Sequence, residues 1–269
     1  MGYKIYDAHA HIFPAKIAER ATQSIGHFYD IPMHHLGSAE ELLRRGGEIG
    51  VSRYLVCSTA TKPEQVEHIN TFIHEQCELH PEFYGFATMH PDYAHIEEEL
   101  DRALEMGLHG IKLHPDFQHF DIDAPEALPL YRAASERKLP ILFHTGDDRY
   151  DYSAPHRLRK IAEAFPDLTC IGAHFGGYTI WQEAARQLAG RFENLWVDCS
   201  SSFFAMDVAA GRALIDAYGA DRVLFGTDYP MWDPQHELAR LRGMRLAPET
   251  ERKILYDNAA ALFGLEGEN

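Results

Sequence analysis

The stretch Phe83-Tyr-Gly-Phe-Ala-Thr-Met-His90-Pro91-Asp92 and its sequel His109-Gly-Ile-Lys-Leu-His114-Pro115 read as two strands, each closed by a proline. Between them Asp92 can cap a helix, Ile96, Leu100, Ala103 and Leu104 share one face of it, and Gly107 follows its end. Strands alternating with helices in this way pair in parallel and are joined by crossovers.

The same unit recurs in both directions. Strands are expected at residues 3–13, 53–57, 139–144, 168–174, 195–199 and 222–228. Helices are expected at 40–45, around Val66, Ile69 and Ile73, at 126–137, from Ser153 to the stop at Pro166, around Trp181, at 208–218 and at 249–263. Eight strand–helix units imply an α/β fold, a single (β/α)8 barrel of the TIM type over residues 1–269, with no composition break to divide it. Residues 14–38, which contain Phe28, Tyr29, Pro32, His34 and His35, read as a loop or short helices. A lid over a site and surface decoration are the two readings of that stretch.

Composition narrows the partners. A net charge of −16 argues against nucleic acid or an anionic membrane surface. The chain has no run of 18 apolar residues, and residues 1–4 lead straight into the first strand, so a cytoplasmic protein is expected. Cys57, Cys77, Cys170 and Cys199 have neither C-x-x-C nor framework spacing and read as reduced thiols. The expected partner is a small-molecule substrate; a homo-oligomer stays open.

Barrels of this kind carry their chemistry where the C-terminal strand ends open into loops. His9 and His11 lie there on the first strand, on one face because they are two apart, with Ala10 on the other. His144, His174 and Asp228 lie at the ends of three later strands, and Gly172 and Gly226 two positions earlier leave room. Each alone could be a hydrogen-bonded core residue or a turn-former. Together, imidazoles and a carboxylate at one mouth form the N/O donor set of a catalytic divalent ion. Other rim residues are His90, Arg149, Tyr152, Phe175, Tyr229 and Trp232, for which packing is the simpler reading.

Six pieces are similar to the amidohydrolase superfamily, in its amidohydrolase-2 branch of metal-dependent hydrolases and decarboxylases. They are Asp7-Ala-His-Ala-His11, Gly110-Ile-Lys-Leu-His114, Leu142-Phe-His-Thr-Gly146, Ala173-His-Phe-Gly-Gly177, Gly226-Thr-Asp-Tyr-Pro230 and Asn258-Ala-Ala-Ala-Leu-Phe263. The resemblance implies a distorted barrel and one metal held by His9, His11, His144 and Asp228, with zinc first and manganese second. It also implies that His174 lies beside the metal-bound water and that Asp228 takes that water's proton. Lys112 and His114 share a face of the fourth strand and are expected to bind substrate. Lys112 either anchors a substrate carboxylate or pairs with an internal acid such as Asp7. In the wider superfamily a lysine at this place is carboxylated and bridges two metals; here an ammonium is expected.

The activity expected first is hydrolysis of a lactone, ester or amide of a carboxylate-bearing substrate, favoured by a chain shorter than those of the branch's decarboxylases. Non-oxidative decarboxylation at the same site is the alternative. A non-catalytic metal-stabilised binding protein comes third, because a scaffold has no need of His174.

Overall fold

Apolar residues at every second position of the strands form two packed layers. Leu55, Phe86, Leu142, Ile171 and Leu224 meet inside a barrel closed below by Phe263, whereas Val56, Ile111, Leu113, Ile141, Phe143 and Val197 pack outward under the helices. A computed structural model describes residues 4–264. Residues 1–3, read as leading into the first strand, lie outside the described residues, as do 265–269.

The strands are β1 (Ile5–His11), β2 (Val51–Cys57), β3 (Phe83–Gly85), β4 (Ala87–Thr88), β5 (Ile111–Leu113), β6 (Ile141–Phe143), β7 (Cys170–Gly172), β8 (Leu195–Asp198) and β9 (Val223–Leu224). All ladder pairs are parallel, in the order β1-β2-β3 and β4-β5-β6-β7-β8-β9. The strand expected at residues 83–90 is broken at Phe86. Its N–H turns back to the Val56 carbonyl (3.0 Å), while that of Ala87 turns forward to Gly110 (2.8 Å). One interrupted strand therefore serves both neighbours. The last strand closes on the first through Ala8 N–H to Phe225 O (2.8 Å), Asp228 N–H to His9 O (2.8 Å) and His11 N–H to Tyr229 O (2.7 Å). The ring is thus the expected eight-stranded barrel, distorted at Phe86.

The helices that position the site are α1 (Ala18–Tyr29), α2 (Ala39–Gly47), α3 (Val66–Leu79), α4 (Ile96–Glu105) and α5 (Pro115–Gln118). They are followed by α6 (Leu128–Glu136), α7 (Pro155–Ala164), α8 (Trp181–Leu188), α9 (Val208–Tyr218) and α10 (Pro234–Gly243). Ser38 caps α2 and Asp233 caps α10 by accepting backbone N–H groups. The segment 14–38 departs from the expected irregular stretch, because α1 fills 12 residues of it. Ala18, Thr22 and Gly26 recur every fourth residue and bury the face of α1 turned to the protein. The tail helix is α11 (Pro248–Arg252), a π-turn over Lys253–Asp257, then α12 (Asn258–Leu262). Among the described residues no helix is long and apolar enough to cross a membrane, and all four cysteines are free.

Candidate metal centre and active site

The pleat of β1 changes phase part-way along. Tyr6 and Ala8 face the barrel interior, yet Ala10 belongs to the outer layer. The pairing of β1 with β2 shifts register between Asp7 and Ala10, an irregularity that re-aims side chains. His9 and His11 consequently project into the mouth together, their Nε2 atoms 3.2 Å apart. Gly226 makes room beside them: a Cβ there would stand 2.9 Å from that of His9.

Asp228 completes a triangle. Its Oδ1 is 3.5 Å from His9 Nε2 and 3.3 Å from His11 Nε2. Donors bound at about 2.0–2.1 Å to one ion stand about 2.8–3.0 Å apart in octahedral and about 3.3–3.4 Å apart in tetrahedral geometry, so the triangle is close to the size of one tetrahedral coordination face. The donor chemistry agrees. Two Nε2 atoms facing each other cannot both carry a proton, and a cation between them would satisfy both lone pairs. His9 is aimed by its other nitrogen, Nδ1, which lies 2.9 Å from Asp198 Oδ2 and 3.1 Å from Ser200 Oγ. A carboxylate behind an imidazole fixes the tautomer that presents Nε2 as a ligand.

His174 stacks on His9, ring centroids 5.4 Å apart. Its Nδ1 meets Ser200 Oγ at 3.0 Å and its Nε2 meets His144 Nδ1 at 3.1 Å. His144 thus reaches the triangle by way of His174, and its Nε2 lies 3.3 Å from Asp116 Oδ2. His114 is sandwiched between His144 (3.8 Å between centroids) and Phe117 (3.7 Å) and is touched by Tyr29 OH at 2.9 Å from Nε2. His174, Phe175, Ser201 and Asp228 all have φ between 47° and 58°, a left-handed conformation unfavourable for residues with a side chain. Four such residues at one rim mark a backbone held in place by its surroundings.

The electrostatics follow from burial. Burial favours the neutral Asp228 carboxyl, but His9, His11 and His174 outweigh it and hold the group well below the carboxylate range. Burial likewise opposes a charge on His11, yet Cys57 and Asp228 lift it to about 9. Burial, then Lys112, lowers His9, and burial drives His174 down to about 3. Lys112 is fully buried, and that burial lowers its ammonium despite Cys57, Asp228 and Asp198. Its Nζ lies 3.1 Å from His9 Nε2. The pairing of Lys112 with Asp7 does not occur. The Asp7 carboxylate instead accepts the Thr227 hydroxyl (2.6 Å) and backbone N–H (2.9 Å), and burial pushes it up to about 7.

A cavity of about 660 Å³ opens from this floor, with His11, Lys112, His114, His144 and Asp228 in its lining. Its outer wall is α1. Arg149 pins the end of that helix: it pairs with Asp147 through two nitrogens (2.8 and 2.6 Å), donates to Phe28 O (2.5 Å) and lies over the Phe28 and Tyr29 rings. Of the other rim residues, Phe175 is core against Tyr218 and Phe203, Tyr229 is buried with its hydroxyl on Leu36 O, and His90 Nδ1 accepts from Asp92 N–H. Tyr152 stacks on Tyr150. Trp232 donates to Ser201 Oγ at 2.7 Å.

Sequence reasoning missed Asp198, Ser200, Ser201 and Asp116. Asp198 ends a strand, so the rule that found Asp228 could have found it. Tyr29 reads in sequence only as part of a stretch that is either a lid or surface decoration, and its contact with His114 has no signal of its own.

With this geometry in hand, comparison with known proteins is decisive. The amidohydrolase family model matches residues 6–265. The chain belongs to the amidohydrolase family. Its relatives include the gamma-resorcylate decarboxylase of Rhizobium radiobacter, 27% identical over 260 residues that span 76% of this chain and 77% of the relative. Among solved structures, the 5-carboxyvanillate decarboxylase LigW of Sphingomonas paucimobilis superposes with TM-score 0.77 at 15% identity, covering 98% of this chain and 99% of that one. The 5-carboxyvanillate decarboxylase of Novosphingobium aromaticivorans, complexed with manganese and 4-hydroxy-3-methoxy-5-nitrobenzoic acid, superposes with TM-score 0.74 at 16% identity over 98% and 96%. This amidohydrolase-family chain therefore has the TIM-type barrel its sequence implied, and with it the makings of a metal-dependent enzyme.

Proposed function

We propose that this protein is a metal-dependent non-oxidative decarboxylase of hydroxylated aromatic carboxylic acids. The observation that carries the reading is the opening of the His9–His11–Asp228 triangle into a cavity walled by Phe28, Tyr29 and Phe117, with a buried lysine in its floor. The curated relative's activity supports it. Hydrolysis, the first expectation from sequence, becomes the second reading, because the activity of the 27% identical curated relative outweighs the shortness of the chain.

In the reaction the bond between ring and carboxylate breaks, its electron pair stays on the ring carbon, that carbon gains a proton, and carbon dioxide leaves. His9, His11 and Asp228 would hold the divalent cation; the family resemblance adds His144, but its two nitrogens here meet His174 and Asp116, one step away from the triangle. Manganese, carried by the Novosphingobium relative, moves ahead of zinc. Such a cation supplies Lewis acidity toward a phenolic or carboxylate oxygen. Lys112 Nζ and His114 Nε2 line the cavity where substrate oxygens would sit. Asp228 and His174 Nε2 move the proton, each held by a serine hydroxyl, Ser201 and Ser200.

The test is to load the protein with manganese or zinc and offer a panel of hydroxybenzoates beside a panel of lactones and amides. Stoichiometric carbon dioxide from the first panel is expected. Water uptake with no gas, on the second panel alone, restores the hydrolase reading.

A further inference from the structure

Helix α1 presents two faces inward. One, the small residues Ala18, Thr22 and Gly26, is buried against the protein. The other, Ala21, Ile25 and Phe28 with Ile17 just before the helix, is apolar, recurs at helical spacing and lines the cavity. Across the gap stand Ile69 and Phe72 of α3, half-buried where their neighbours Val66, Asn70 and Ile73 are fully buried. The charged side chains that join this part of the lining, Arg20, Glu64 and His68, are exposed, as are the polar Ser24, Thr61 and Gln65. The cavity is therefore a polar floor with an apolar channel leading out of it between two helices. Its volume, about 660 Å³, falls in the range that encloses a drug-sized ligand. A single-ring acid seated on the floor would leave the channel's hydrocarbon walls facing water, which is unfavourable in proportion to their area.

We infer that the substrate is a ring acid bearing a long uncharged hydrocarbon substituent, and that Ile17, Ile25, Phe28, Ile69 and Phe72 form the subsite for it. The inference rests on the reading of the floor as the place where the acid group binds. It concerns the same substrate molecule, because channel and floor are one continuous cavity. The occupant is uncharged where it meets the hydrocarbon side chains, and it emerges beside Arg20, Glu64 and His68, which are exposed.

The test is a homologous series of para-alkyl salicylates, from ethyl to octyl, titrated by calorimetry into the metal-free and the manganese-loaded protein. Affinity is expected to rise about threefold to fourfold per methylene, in both forms, and to level off once the chain emerges at the exposed end. Ile25→Asp and Ile69→Asp, one on each helix, should each flatten that slope; two variants guard against either one failing to fold. Equal affinity along the series overturns the channel subsite, as does a slope that neither folded variant alters. Release of carbon dioxide is scored separately on the same compounds. A slope without gas leaves the channel and removes the decarboxylase, whereas gas without a slope does the reverse.

Discussion

Ser201 donates its hydroxyl proton to Asp228 Oδ2 across 2.5 Å, and the indole of Trp232 donates to that same hydroxyl across 2.7 Å. One carboxylate oxygen is thereby fixed, and the other, Oδ1, is left facing His9 and His11. Ser201→Ala is expected to free the carboxylate to rotate. Turnover should fall about tenfold to a hundredfold, with metal affinity lowered alongside. Steady-state rates together with manganese titration check this; an unchanged kcat at normal metal content would refute it.

Removing the carboxylate itself should do more. Asp228→Asn is expected to lower kcat by orders of magnitude while the protein still melts cooperatively, because the amide keeps the shape but loses the charge and the proton acceptor. Turnover near normal would remove Asp228 from the proton-transfer role.

Asp198 acts one step behind. It lies under His9 Nδ1; burial favours its neutral form, but His9, His174 and Ser200 together hold its carboxyl well below the ordinary range. Asp198→Asn should weaken manganese or zinc binding about tenfold to a hundredfold. Chelation of the parent protein should abolish turnover, and added metal should restore it; activity that survives full chelation would exclude a metal-dependent step.

Arg149 ties α1 to the loop after β6 through Asp147, Phe28 and the rings of Phe28 and Tyr29. Arg149→Ala should release that end of the helix. The expected signs are faster limited proteolysis within residues 14–38 and a raised KM, both read against a parent that resists cleavage there.

Glu237 gives a pH dependence remote from the centre. Its side chain on α10 is 1% exposed, one oxygen has no hydrogen-bond partner, and Arg240 holds the other. Burial raises its carboxyl to about 7 from the ordinary 4.5, with Arg240 pulling the other way. The folded state thus keeps a proton that the unfolded chain has already lost. Stability from this group is greatest below pH 4.5, falls as pH rises toward 7 and is flat above, a total of about 3 kcal/mol. Glu237→Gln should shrink the difference in urea-unfolding free energy between pH 5 and pH 8 by about 2–3 kcal/mol. An unaltered difference would mean that Glu237 ionises normally.

Much of the fold was legible because the signals were local. Proline and glycine punctuation after His90, His114 and Gly107 marks strand and helix ends that the barrel keeps, and a parallel pattern of eight such units has few ways to close. The break at Phe86 was not legible, since it comes from two neighbouring strands competing for one segment's hydrogen bonds. The helix over Ala18–Tyr29 was hidden too: small and polar residues bury one of its faces, and the other fronts a cavity instead of a core.

The sequence by itself determined which side chains stand at the rim: His9 and His11 end the first strand, His144, His174 and Asp228 each follow a later one, and chain order alone fixes that. The tertiary structure decided how they meet. The register shift in β1 turns two histidines onto one point, left-handed backbone at His174 and Asp228 aims their side chains, Asp198 orients His9 from 189 residues further along the chain, and Ser200 and Ser201 hold His174 and Asp228. Hydrogen bonds between distant segments depend on atomic positions set by packing, and no local pattern of residues encodes those.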